Sequence, residues 1–302
     1  MDWLQQLING LALGSIYALI ALGYTMVYGV LRFINFAHSD VLMLGAFAAF
    51  FFAPAVERIF PQGSFGGAIA VVVVAAAICA VIGIVIELLA YRPLRQRPKL
   101  TVLITAIGVS LFIEYTCQHK AVFGASSRAF PKLLGNESYQ LWGRTLTLVD
   151  LVVVGLTSLL LAGLWLVVHR TKIGTAMRAV SFNPQAAALV GVNINRVISF
   201  TFGLGSALAG VAGVLYALRS PSIDPLMGIK PGLFAFVAAV LGGIGNLPGA
   251  VVGGLILGLL ETIVGGIDGI SNYRDGIAFA ILVLILIFRP SGLLGELKTE
   301  KV

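Results

Sequence analysis

Long apolar runs separated by short polar ones dominate the chain. Windows long enough to cross about 30 Å of hydrocarbon as helix fall at roughly Leu4 to Val30, Phe36 to Ala53, Gly67 to Ala90, Leu100 to Cys117, Leu148 to Val168 and Val197 to Leu218. A further stretch, Pro231 to Glu261, is interrupted by Gly242, Gly243, Gly245, Asn246, Pro248 and Gly249, and a last run extends from Gly276 to Phe288. The pattern predicts an all-α polytopic transmembrane bundle. It has eight spans if the interrupted stretch is one crossing with a re-entrant piece, and nine if it is two short crossings. No polar segment is long enough to form a separate soluble unit, so residues 1–302 read as a single transmembrane domain.

The longest polar interruption in the C-terminal half, His169 to Ile198, reads HRTKIGTAMRAVSFNPQAAALVGVNINRVI. Asn183 can cap a helix whose first position is Pro184, where a missing N–H costs nothing. Gly191 can close that helix in the left-handed conformation after Gln185, Ala186, Ala187, Ala188, Leu189 and Val190. The stretch holds Arg170, Lys172, Arg178 and Arg196 and no acidic residue. A short, sharply bounded, cytoplasmic helix of this kind suits docking against another protein.

Composition agrees with the pattern. Of the 302 residues 59% are hydrophobic and only 11% charged, against about 25% charged in soluble domains. The net charge of +7 does not point to nucleic acid, because the basic residues gather at the ends of apolar runs, as expected of cytoplasmic loops. Arg92, Arg95, Arg97 and Lys99 after the third span, and the purely basic stretch after the fifth, place both loops inside and the N-terminus outside. The loop from Gln118 to Thr147 opposes this, since it carries Lys120, Arg128, Lys132 and Arg144 against Glu137 and would be external. The tail from Arg289 to Val302 would be cytoplasmic, which favours nine crossings. The N-terminal run lacks a basic leader and exceeds a signal-peptide core, so it reads as a first membrane helix that stays.

Candidate chemistry is sparse. No GxxxxGK[ST] loop is present, so the chain is not expected to bind ATP by itself. His38, His119 and His169 lie far apart without ligands at metal-binding spacing, and no nucleophile has a base at motif spacing. No catalytic residue, metal or cofactor is therefore expected. Cys79 and Cys117 fall within apolar runs and read as small buried hydrophobes. The polar segment around Asn35, His38, Ser39 and Asp40 opens the second span. Either Ser39 or Asp40 caps that helix, or the cluster lines a translocation path. Glu114 and Glu261 lie near span ends, Glu87 is expected to pair with Arg92 or Arg95, and the break around Gly243 and Asn246 is either an unwound substrate-facing segment or a plain loop. Glycines inside apolar runs, as in GLGSALAGVAG and GAVVGGLILG, allow helix backbones to approach closely.

Four motifs in order, INFAHSDVLMLGAF (Ile34 to Phe47), GTAMRAVSFNPQAAALVGVNINRVI, VLGGIGNLPGAVVGG (Val240 to Gly254) and FRPSGLLG (Phe288 to Gly295), closely resemble branched-chain amino acid ABC transporter permeases of the LivH type. The resemblance covers essentially the whole chain and implies a subunit of a bacterial inner-membrane importer. Residues 169–197 would form the coupling loop. Gln185-Ala186-Ala187, followed after three intervening residues by Gly191, fits the E-A-A-x3-G pattern of importer permeases with Gln for Glu. The ATPase-coupling residues would then be Asn183, Pro184, Gln185, Ala186, Ala187 and Gly191, and the candidate substrate path Asn35, His38, Asp40, Gly243 and Asn246. Implied partners are two ATP-binding subunits, which hold the ATP, a second related permease forming a heterodimer, a periplasmic substrate-binding protein and the lipid bilayer. Relatives in this group look like transporters of urea, short amides or other amino acids. The competing readings are an ion-coupled secondary carrier using Asp40, Glu114 or Glu261, and a passive channel.

Overall fold

The computed structural model describes residues 2–295 except Asn136, Trp142, Asp268 and Pro290. Eight of its helices are long and apolar enough to cross a membrane, and the architecture is an all-α bundle. Helix α1 (Trp3–Leu31) is capped by Asp2 and runs through the centre with α8 (Ile194–Arg219). Around them lie α2 (His38–Val56), α3 (Phe65–Ile86), α4 (Lys99–Gln118), α5 (Leu148–Arg170), α9 (Ile229–Gly242), α10 (Leu247–Gly265) and α11 (Arg274–Phe288). The outer helices α4, α5 and α11 expose most of their apolar faces.

Glycines set the central packing. On α1, Gly14 lies against Leu255 and Gly258 of α10, and Gly10 against Leu259 and Thr262, so the two helices run antiparallel with backbones in contact. Gly45 of α2 meets Gly210 of α8, where an added Cβ would stand 2.5 Å from the Gly210 Cα. Such close approach replaces the hydrophobic drive that is absent between helices in lipid.

The interrupted stretch consists of α9, fourteen residues or about 21 Å at 1.5 Å per residue, and the longer α10 turned back on it. Between them Gly243 and Gly245 adopt φ of +103° and +97°. The turn lies beside Gly29, near the end of α1. The same end of the bundle holds Arg32, the turn after α3 and the segment after α5, where Glu87 is the sole acidic side chain among the described residues. At the opposite end Asp2, Glu57, Glu137, Asp150 and Asp224 mix with basic residues. The first end is therefore cytoplasmic by its excess of Arg and Lys. The N-terminus of α1 is external, and segment 291–295 lies inside. The tail beyond Gly295 lies outside the described residues.

The external loop after α4 is more structured than its sequence indicated. Strand β1 (Arg128–Ala129) pairs with β4 (Ser222–Ile223), and β2 (Ser138–Leu141) with β3 (Arg144–Thr147), both antiparallel. Two of the four basic residues that opposed the orientation, Arg128 and Arg144, are held locally. Arg144 bonds Asp2 at 2.6 Å, and Arg128 lies 5.7 Å from the ring centres of Phe50 and Phe51. On the cytoplasmic side the polar stretch forms two helices rather than one, α6 (Lys172–Phe182) and α7 (Pro184–Leu189).

Candidate coupling surface and polar cluster

Helix α6 starts at Thr171, whose hydroxyl accepts from Gly174 N at 3.1 Å. It buries Gly174, Met177 and Val180 against the bundle. Arg178 donates to the carbonyl of Val168, one of the α5 C-terminal carbonyls that lack a helical partner. Arg32 donates to Ser181 O at 3.2 Å, so the base of the segment is anchored to α1 and α5.

From that anchor α7 projects. The Asn183 side chain accepts from Ala186 N at 3.0 Å, Pro184 occupies the first position, and the helix ends at Leu189. Gly191, at φ +85°, donates to Ala188 O at 3.0 Å, while Val192 N reaches Ala187 O at the same distance. Asn193 caps α8 directly afterwards. Within α7 only Ala187 is buried, whereas Phe182, Leu189 and Val190 are 84%, 89% and 79% exposed. Three large apolar side chains thus stand exposed together on a cytoplasmic tip, an apolar patch of the kind that interaction sites present. Beside them runs a groove of about 1300 Å³ lined in part by Gln96, Arg97, Asn183, Gln185, Asn193 and Asn195.

Asn35, His38 and Asp40 come together at the N-terminal end of α2, each directed to a different neighbour. Asn35 accepts from Tyr91 OH at 2.6 Å. The His38 ring packs on Tyr24, centroids 4.7 Å apart, and against Gly23, where a Cβ would fall on the ring. Asp40 is buried and accepts from Ser110 Oγ of α4 at 2.6 Å. The capping alternative fails. Helix α2 begins at His38 without a side-chain cap, and Ser39 donates instead to Phe36 O at 3.0 Å.

Gly243 and Asn246 are placed elsewhere. Asn246 caps α10 through Gly249 N at 3.0 Å and donates to Leu294 O at 2.7 Å, while Leu293 N reaches Leu241 O at 2.8 Å and Leu294 N reaches Gly242 O at 3.1 Å. The break thus grips segment 291–295 and leaves these groups partnered. Among the other ionisable residues, Glu261 accepts from Tyr17 OH at 2.6 Å and lies 3.4 Å from Lys230, which also reaches Asp275 at 3.1 Å. Glu87 pairs with both Arg92 and Arg95, as its position suggested. The partners Tyr17, Tyr91, Ser110 and Lys230, and Ser199, whose hydroxyl donates to Glu87 at 2.7 Å, carry no motif, and only tertiary proximity reveals them.

A family profile described as "Branched-chain amino acid transport system / permease component" matches residues 6–286. The chain belongs to this family. The permease is 40% identical over 309 residues to the high-affinity branched-chain amino acid transport system permease protein BraD of Pseudomonas aeruginosa, covering 99% of this chain and 98% of that one. It is 39% identical over 304 residues to LivH of Escherichia coli K12, with the same coverage. The ribose import permease protein RbsC of Escherichia coli K12 aligns with 41% of the chain at 32% identity. No solved structure gives a significant match.

Proposed function

We propose that this permease is the membrane subunit of an ABC importer that carries branched-chain amino acids (leucine, isoleucine and valine) across the bacterial inner membrane by alternating access. The observation that carries the reading is the projecting, capped α7 with its exposed Phe182, Leu189 and Val190, in a chain that matches branched-chain amino acid permeases end to end. Two ATP-binding subunits dock on α7 from the cytoplasm. A second, related permease completes a heterodimer, and a periplasmic binding protein delivers substrate to the outer end. Closure of the ATPase pair displaces α7, which must contact its partner differently in the two states for nucleotide to shift the equilibrium.

Asn35, His38 and Asp40 line the substrate path when α4 moves away from α2, which would free the Asp40 carboxylate from Ser110. An ion-coupled carrier is less well supported, since Glu261, one of its three candidate proton sites, is already held by Lys230 and Tyr17. Co-purification of the tagged chain from its native membrane tests the reading. Recovery of ATP-binding subunits and a second permease, with hydrolysis stimulated by leucine-loaded binding protein, is expected. A chain that purifies alone and transports by itself would refute it.

A further inference from the structure

Glu87 is fully buried, and it opens a π-helical turn, Glu87–Tyr91, that directly follows α3. Such turns recur at functional positions in helices. The Glu87 carboxylate accepts from Ser199 Oγ at 2.7 Å, from Arg92 at 3.1 and 3.2 Å, and from Arg95. Arg95 also donates to Asn195 Oδ1 at 2.7 Å. Asn195 and Ser199 belong to the first turns of α8, directly after the docking helix α7. Four residues along the same π turn, buried Tyr91 donates to Asn35 at the entry of α2. Its ring packs between Phe33 and Phe202 at 5.2 and 5.4 Å. One turn of helix thus holds the base of the docking segment with one side chain and the entry of α2 with another.

Stability alone is a poor reason for this arrangement. Buried ion pairs can often be replaced by apolar residues of similar volume without loss. Resting on the importer reading above, we propose that Glu87 and Tyr91 are positioning residues that transmit displacement of α7 to the N-terminal end of α2, coupling partner hydrolysis to opening of the cytoplasmic side. Adjacency by itself does not establish coupling, so the test measures coupling directly.

The complete complex is reconstituted in proteoliposomes, and leucine uptake and ATP hydrolysis are followed on the same vesicles. Tyr91→Phe removes one hydroxyl and keeps the ring stack, and Glu87→Gln keeps the side-chain size. Both variants are expected to hydrolyse ATP at the basal wild-type rate. Leucine moved per ATP falls about fivefold in Tyr91→Phe, the equilibrium shift produced by losing one buried neutral hydrogen bond. The double variant Tyr91→Phe with Asn35→Ala is no worse than Asn35→Ala alone. An unchanged ratio in Tyr91→Phe overturns the proposal. So does a proportional fall in uptake and hydrolysis, which makes the turn mere scaffold. Tyr91→Phe decides the matter if Glu87→Gln does not assemble. A wild-type complex without ATP-driven uptake refutes the importer reading instead, so the two failures are distinguishable.

Discussion

The α1–α10 contact offers a sharp test of how this bundle is held together. Gly10 and Gly14 on α1 face Gly254 and Gly258 on α10, two small-residue pairs each four apart. A Cβ at Gly258 would fall on the backbone N and Cα of Gly14, and one at Gly14 would stand 2.8 Å from the Leu255 Cα. Ordinary carbon contacts are about 3.5–4.0 Å, so Gly258→Ala must push the two helices apart by about 1 Å, a gap that forfeits a quarter to a half of each contact's dispersion energy. Overpacking of this kind costs about 1–3 kcal/mol. Better helix propensity returns up to about 1 kcal/mol, leaving a net loss of about 1–2 kcal/mol. Gly163→Ala on α5 is the control, because nothing lies within 4 Å of its Cβ position. It should be neutral or stabilising. Unfolding of the purified chain in a graded SDS titration measures both. Equal midpoints for the two variants would refute the backbone-contact reasoning.

Gly191→Val should strain a φ of +85° in a site otherwise open to solvent, so its effect is on the shape of the α7 tip. Membrane insertion should stay normal while co-purification of ATP-binding subunits drops, and the two are read together by quantitative blotting. Arg219→Ala leaves the largely buried Asp150 without its cation. With Arg219 partly exposed, the loss should be on the order of 2 kcal/mol, between a surface and a fully buried pair. Asp150→Asn combined with Arg219→Ala should recover part of that loss in the same SDS titration.

The spans and the short helix α7 were readable because both rest on local rules. A run of apolar residues has to be long enough for lipid, and Asn183-Pro184 with Gly191 brackets a helix whatever surrounds it. Helix α6 was missed because its buried face reduces to Gly174, Met177 and Val180 in an otherwise polar stretch. Ser39 and Asp40 looked like caps because such residues favour that role. The helix instead begins at His38, and a serine seventy residues away takes the Asp40 carboxylate. The Glu87–Ser199, Tyr91–Asn35 and Tyr17–Glu261 contacts join separate helices. No periodicity within one segment encodes such a meeting. The glycine-rich break was visible as a break, but its grip on segment 291–295 depends on where the chain returns.

The most direct measurement is uptake of radiolabelled leucine into proteoliposomes holding this permease, with and without its second permease, ATP-binding subunits and loaded binding protein. Uptake that requires ATP inside the vesicle, on the α7 side, together with all partners, and that is insensitive to an uncoupler, is the expected result. Uptake by the chain alone, abolished by an uncoupler and indifferent to ATP, would contradict the importer and make the permease an ion-coupled carrier.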